Sequence, residues 1–445
     1  MNIRRAVYVL LCLVAAVLTG CNSGNGVGAL PINTTVRVVN LVPNAPPITF
    51  TIDTNASLVT GLAFEQQTLY LDTTSGSHEF RVTDGGNSTL VDVTETLANG
   101  QAYTFVVYGP QEAANSLLLA DSPISIPQGG IIVTIPNAGT FAVRLANLAE
   151  GVGALDMYLT APGADLAFTA PTLINVALGQ TTAFMPVNTG SYELRFAING
   201  TKNVIYDTGT IITFGDQAIV QVVTYGKGSA KLVGATVLNL NTQGTGQVYQ
   251  NTLARFKLIN ATSVGPPLNV FVDGALTLAN VPFAGVSTYV KTLAIAQTLS
   301  VESTATPGAS LLTFPATFAP ATDSSVVVSG PPGALQALVL TDNNMPSATG
   351  RARVRFVNAS PDLASLDVYV NFVPTFLHVT TNSASGYTEL VANVTGSTFN
   401  IAFNLAGTTT PALTLPNVKL VAGTTYTVYV VGPGSSPQGV IATDN

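Results

Sequence analysis

The sequence predicts an all-β chain of four tandem antiparallel β-sandwich domains, on three observations. Four segments of the chain align with one another without a gap. Within them apolar and polar residues alternate at period two, the signature of a strand with one buried face. Beyond the N-terminal apolar run, no stretch shows a helical period flanked by caps.

The repeats come first, because self-similarity at a fixed period decides architecture. The aligned segments are VRVVNLVPNAPPITFTID (36–53), VRLANLAEGVGALDMYLT (143–160), FKLINATSVGPPLNVFVD (256–273) and VRFVNASPDLASLDVYVN (354–371). Each carries an Asn at its fifth position (Asn40, Asn147, Asn260, Asn358) and a basic residue three before it (Arg37, Arg144, Lys257, Arg355). Each copy closes on an apolar strand ending in Gly: YTFVVYG (103–109), VQVVTYG (220–226), SSVVVSG (324–330) and YTVYVVG (426–432). The Asn residues are spaced by 107, 113 and 98 positions, which suits one sandwich of about 100 residues per copy. The predicted sandwiches span 36–125, 142–238, 254–342 and 351–445.

In the second strand of each copy, Ile48/Phe50/Ile52, Leu155/Met157/Leu159, Leu268/Val270/Val272 and Leu366/Val368/Val370 form the apolar face. The residues between them are expected to face outward in an antiparallel sheet. Turn signals at Asp84-Gly85-Gly86-Asn87, Asn99-Gly100, Asn199-Gly200 and Ala422-Gly423 separate the runs.

Composition excludes several classes of function. The chain has 445 residues, 47% of them hydrophobic and only 9% charged, the reverse of a disordered sequence. A net charge of −7 with 16 Lys and Arg argues against a nucleic-acid partner, since phosphate neutralisation takes clustered basic residues. Two His and two Cys leave little for metal or thiol chemistry, and no metal or cofactor is predicted. None of G-x-S-x-G, G-x-x-x-x-G-K-[ST], G-x-G-x-x-G, H-E-x-x-H or C-x-x-C occurs. His78 and His378 occupy non-equivalent places in their copies and read as solvated strand or turn residues. Asp84-Gly85-Gly86-Asn87 and Asp342-Asn343-Asn344 lack the carboxylate spacing of a calcium loop and read as ordinary turns. The expectation is a protein that is not an enzyme.

Arg4 and Arg5 precede the apolar run of residues 6–17, which has the length of a signal-peptide core and is short for a bilayer span. The Leu18-Thr19-Gly20-Cys21 that follows resembles the lipobox of bacterial lipoproteins. The resemblance implies a lipoprotein signal peptide over 1–20, cleavage before Cys21, and a diacylglycerol on the Cys21 sulfur that makes the membrane a partner. Asn22 in place of Asp implies sorting to the outer membrane, and residues 21–35 read as the lipidated Cys and a flexible tether.

RARVRFVNASPDLASLDVYVN (351–371), with GTTYTVYVVGP (423–433) closing the copy, resembles domain of unknown function 4397, common in bacterial secreted and lipid-anchored proteins. The first copy keeps Pro43 and the closing YTFVVYGP, whereas the second and third depart from the Ser-Pro-Asp turn with Leu148-Ala149-Glu150 and Ala261-Thr262-Ser263. The resemblance implies extracytoplasmic Ig-like sandwiches and brings no activity or catalytic residues.

Two sets of residues recur enough to be assigned roles. Asn40, Asn147, Asn260 and Asn358 read as structural turn residues, whose short side chains bond backbone amides two positions on. Asp156-x-Tyr158, Asn269-x-Phe271 and Asp367-x-Tyr369 place an aromatic ring beside a hydrogen-bonding group on the outward side. Such pairs hold sugars, or the ring covers a neighbouring strand. If the first two strands of a copy form a hairpin, Arg355 faces Asp367 and Arg144 faces Asp156 as exposed cross-strand pairs. The predicted function is a structural and interaction array at the cell envelope, four sandwiches in series reaching about 140 Å. Its partners would be envelope proteins or glycans. The alternative is a carbohydrate-binding or adhesive surface protein, with a hydrolase third.

Overall fold

The computed structural model describes residues 34–53, 58–121, 124–125, 132–133, 136–241, 246–262 and 265–445. The expected signal peptide, the expected lipidation site Cys21 and most of the expected tether lie outside them. Among the described residues there is no α-helix, only two 3₁₀ turns.

Each copy builds the same two-sheet sandwich. One sheet contains a lead strand (Thr34–Leu41, Thr140–Leu148, Leu253–Thr262, Arg351–Asn358) beside a closing strand (Ala102–Tyr108, Ile219–Tyr225, Asp323–Gly330, Thr425–Val431). A final strand then pairs with the closing one (Asn115–Ala120, Gly234–Asn239, Gln336–Asp342, Gln438–Thr443). The opposite sheet is centred on the second strand (Ile48–Ile52, Leu155–Thr160, Leu268–Val272, Ser365–Val370) and the return strand antiparallel to it (Gly76–Thr83, Gly190–Ile198, Ala296–Ser303, Ser397–Leu405). Lead and closing strands run parallel, in the shared register Val36↔Tyr103, Val143↔Val220, Phe256↔Ser324 and Val354↔Tyr426. The other named strand pairs are antiparallel.

The lead and second strands therefore belong to opposite sheets, and the hairpin expected between them does not form. Arg355 and Asp367 do not face each other, and neither do Arg144 and Asp156.

The lead strands explain why their sequence is almost continuously apolar. Val36 and Val38, Val143 and Leu145, Phe256 and Leu258, and Val354 and Phe356 point into their own sandwich cores. The alternate residues point the other way, onto the neighbouring copy. Val39, Leu41 and Val106 of the first copy form one cluster with Ala146, Leu148, Val223, Tyr225 and Leu238 of the second. Ile259, Ala261 and Val327 of the third form another with Val357, Ala359, Tyr429, Val431 and Ala442 of the fourth. A sheet buried on both faces reads as an unbroken apolar run. Each fully buried aliphatic contributes about 1.5–3 kcal/mol, so these second faces are as much a core as the first.

The four sandwiches are thus two face-to-face pairs and not a linear series. Further contacts tie the pairs together: Lys291 Nζ donates to Asn203 Oδ1 and to the Val204 carbonyl at 2.5 Å each, and Arg353 Nη2 lies 3.3 Å from Glu112 Oε2. We call the paired sheets inner and the opposite ones outer.

Candidate functional site

Inner and outer sheets use the recurring polar residues differently. On the inner side, the basic residue of each lead strand has the interface parity, so it lies buried between paired sandwiches. Arg37 donates to Thr104 Oγ1 at 2.9 Å and sits 3.6 Å from Asp121, which also receives Tyr70 Oη at 2.6 Å. Arg144 of the second copy reaches the same Asp121 at 3.5 Å and bonds Gln221. In the other pair the partners are exchanged. Arg355 of the fourth copy donates to Asp342 of the third at 2.5 Å, while Lys257 of the third donates to Asp444 of the fourth. Ser325 and Thr427 hydroxyls donate to the same two carboxylates at 2.8 and 2.6 Å.

An aromatic ring lies over each cation: Tyr70 over Arg37, Phe184 over Arg144, Tyr289 over Lys257 and Tyr387 over Arg355, at 4.5–4.9 Å. The acidic position is Asp121, Asp342 and Asp444 in three copies and Leu240 in the second, where Gln221 takes over as acceptor. Burial pushes the Asp121 and Asp444 carboxyls up from the ordinary range, opposed by Arg37 and Lys257 respectively. Burial works against the Arg355 charge, yet Asp342 beside it holds the guanidinium pKa above its usual value. Asp342, expected to sit in an ordinary turn, instead ends a strand and lies buried at the interface between the third and fourth copies.

The repeated Asn lies at or within two residues of the end of each lead strand, on the core-facing side. Asn40, Asn147, Asn260 and Asn358 are buried, and their Oδ1 atoms accept the amides of Val42, Ala149, Thr262 and Ser360 at 3.0–3.3 Å. Their Nδ2 atoms cross to the outer sheet, donating to the carbonyls of Leu62, Val176, Val281 and Val379. One side chain thereby closes the turn and staples the two sheets.

On the outer sheets, the acidic or amide member of each outward pair is engaged by backbone. Asp156 accepts the amides of Asn175 and Gly200 at 2.9 Å, Asn269 that of Asn280 at 2.9 Å, and Asp367 those of His378 and Gly407 at 2.8 Å. Asn175, Asn280 and His378 all have positive φ (53°, 59°, 59°) at a bulge in the neighbouring strand. The first copy places Gly61 (φ 69°) there and Thr49 opposite, since glycine adopts this conformation without strain. Despite the cost of burial, the bonds to Asn175, Asn199 and Gly200 hold the Asp156 carboxyl below its usual range. The amides of Gly407 and His378 do the same for Asp367.

The aromatic members differ from copy to copy. Tyr158 is 1% exposed, packed under Leu166, Ala197 and Val204 with Lys202 Nζ 4.9 Å above its ring, so it does not face solvent. Phe271 is half-buried. Tyr369 is half-buried and lines an open groove of about 570 Å³ with Phe372, Asn400, Ala402, Asn404, Thr409, Pro411 and Thr414. Sequence reasoning missed Phe372, whose signal was an aromatic residue in a two-residue hairpin turn that the third copy makes with Asp273-Gly274.

His78, expected to be solvated, is buried, with Nδ1 2.9 Å from Asp53 Oδ2 and Nε2 2.9 Å from the Thr74 carbonyl. His378 is exposed on its bulge. Asp84 closes its own turn by accepting the amides of Gly86 and Ser88 at 2.9 Å. Among the described residues no group of three or more His, Cys, Asp or Glu could hold a metal ion.

Fold and repeat geometry define a tandem β-sandwich protein. A family model described as "Domain of unknown function (DUF4397)" matches residues 34–158, 254–369 and 354–445, and the chain belongs to that family. The first two matches each run through one copy into the second strand of its paired neighbour, whereas the rest of the second copy is unmatched. No curated protein matches the chain. Among solved structures, a family 26 carbohydrate-binding module from Eubacterium rectale Amy13K in complex with maltoheptaose is similar at 14% identity. The match covers 47% of this chain and 98% of that one, with a TM-score of 0.17. The Bacillus anthracis TIE protein is similar at 10% identity over 97% of this chain and 80% of that one, with a TM-score of 0.16. A multi-modular glycogen-degrading pneumococcal virulence factor, SpuA, is similar at 10% identity over 63% and 37%, with a TM-score of 0.15. At scores this low the likenesses carry no functional argument.

Proposed function

We propose that the chain is a lipid-anchored, non-catalytic interaction scaffold of the bacterial cell envelope, sorted to the outer membrane and binding envelope proteins or glycans through its outer sheets. The observation that carries this reading is the unequal use of the two sheets. Each inner sheet is covered on one face by its own core and on the other by its paired copy. The outer sheets are the displayed faces, and behind them buried polar contacts join the inner sheets within each pair. Leu18-Thr19-Gly20-Cys21 supports a lipid anchor, and the tether after it supports a module held off the membrane surface.

Cys21→Ser tests the anchor. The substituted protein is expected in the soluble fraction, while the unsubstituted protein stays with membranes through a carbonate wash. A Cys21→Ser protein that also resists the wash contradicts the lipid anchor.

A further inference from the structure

We infer that the outer face of the fourth repeat is a binding site for a neutral oligosaccharide. The inference rests on the display reading above and names a ligand class for one displayed face.

The first observation is a strained aromatic residue. Asn371 and Phe372 form the two-residue turn between Val370 and Val373, with φ of 50° and 68°. A turn of this kind favours Asn-Gly or Asp-Gly, because a side chain at positive φ crowds its own backbone. The third copy obeys with Asp273-Gly274. The fourth puts a phenylalanine there and leaves it 86% exposed, so neither conformational preference nor burial accounts for the ring. Strain retained without a folding benefit points to a functional use.

The second observation is the surface beside that ring. Across the outer sheet, Tyr369 pairs with Ala402 and Ala402 with Thr414. Asn400 and Asn404 flank Ala402 two residues away on the same strand, so they share its face. The small Ala402 side chain forms the floor of the groove, with Tyr369 on one side and Thr414 on the other. In the first two copies the residue at the place of Ala402 is arginine, opposite Thr51 and Tyr158 respectively. Arg81 lies there against Glu79 and Asp92, and Arg195 against Thr160 and Glu193. Long charged side chains fill that position in those copies, and only a methyl group stands there in the fourth.

The third observation is the chemistry of the lining. All eight residues are uncharged, which disfavours an ionic ligand. Two aromatic rings offer faces to C–H groups. Among the described residues, no partner takes the side-chain amide of Asn404 or the Thr409 and Thr414 hydroxyls. Aromatic faces beside neutral amides and hydroxyls match a sugar, with its apolar ring face and polar rim. They match an apolar peptide side chain less well. The volume lies within the range of small-ligand clefts.

The test is calorimetric titration of the purified full chain with maltohexaose, cellohexaose, laminarihexaose and xylohexaose. Polygalacturonate and a Leu/Phe-rich peptide serve as the charged and apolar comparisons. At least one neutral hexasaccharide is expected to bind. Phe372→Gly should weaken that binding by about tenfold or more, the loss of a ring stack, without lowering the melting temperature, because glycine suits the turn. Ala402→Arg, which restores the residue of the first two copies, should abolish binding in a folded protein. Absence of binding by all four sugars at millimolar concentration overturns the inference. So does binding that survives both substitutions, or binding of polygalacturonate or the peptide alone. None of these results bears on the membrane fractionation of Cys21→Ser, so failure of the sugar site and failure of the anchored-scaffold reading are distinguishable.

Discussion

Asp342, the last residue of the third repeat's final strand, accepts a hydrogen bond from Nη2 of Arg355 in the fourth repeat at 2.5 Å, and both side chains are buried. Removing one member of a buried pair strands the other charge, at a cost of about 3–5 kcal/mol, while replacing both by apolar residues is far milder. Arg355→Met and Asp342→Leu should therefore each be strongly destabilising in urea or guanidinium unfolding. Their combination should cost less than the sum by about 1 kcal/mol or more. Strictly additive costs would show that the pair does not couple the two repeats.

Asn358 should be among the costliest single polar positions outside that interface. Its side chain serves the Ser360 amide and the Leu363 and Val379 carbonyls, all buried from water's help. Asn358→Ala is expected to cost about 2 kcal/mol or more, since unpaired buried groups each carry about 1–3 kcal/mol. Asn358→Asp should not rescue it, because a carboxylate oxygen would then face the two carbonyls. A change within about 0.5 kcal/mol, the scale of an ordinary surface substitution, would refute the stapling role.

Asp367 gives a pH dependence with a defined sign. The Gly407 and His378 amides hold its folded-state pKa below the ordinary value. The stability it contributes is present above the unfolded pKa and is lost as pH falls through the folded one. Asp367→Asn keeps one acceptor oxygen in place of two, so it should be less stable than the parent at neutral pH by about 1 kcal/mol. The difference should shrink as pH drops below about 4, where the unfolded parent takes up a proton that the folded carboxylate still resists, whereas the variant has nothing to titrate. Melting curves at a series of pH values decide this. A constant or widening gap in acid would contradict it.

His378 occupies a positive-φ position where the first repeat has Gly61. His378→Gly should leave stability unchanged or raise it by up to about 1 kcal/mol, because the left-handed conformation costs a non-glycine residue about 1–2 kcal/mol and only part of that is returned by the greater freedom of the unfolded chain. A clear loss in thermal melts would mean that the imidazole, whose Nδ1 is 3.8 Å from Asp367, does more than fill the bulge.

The sandwiches were readable because strand periodicity and the fourfold alignment are local properties of sequence. The pairing of copies was not, although its trace was present. In VRFVNA, Val354 and Phe356 have the parity of the core, and Val357 and Ala359 continue the apolar run on the other face, which one sandwich cannot bury. Arg355 interrupts that second face, and a lone charge in an apolar run reads from sequence as a solvated residue. Its partner lies 13 positions earlier in another repeat, inside what reads as the turn Asp342-Asn343-Asn344. The outward aromatics were only half legible for a similar reason. The alternation that puts Asp156 and Tyr158 opposite the core is real, but the 3₁₀ turn Leu166–Phe168 and the hairpin around Lys202 cover them. Nothing in the strand itself records that cover.

Burial of the two inner sheets against each other makes the third and fourth repeats one expected cooperative unit. That cooperativity is tested most directly by comparing residues 254–445 with residues 351–445 in sedimentation and thermal unfolding. The longer segment should be a monomer that melts in a single transition. The shorter one, with Val357, Tyr429, Val431 and Arg355 uncovered, should self-associate through that face or melt far lower. A monomeric 351–445 that melts at the temperature of 254–445 would contradict the account.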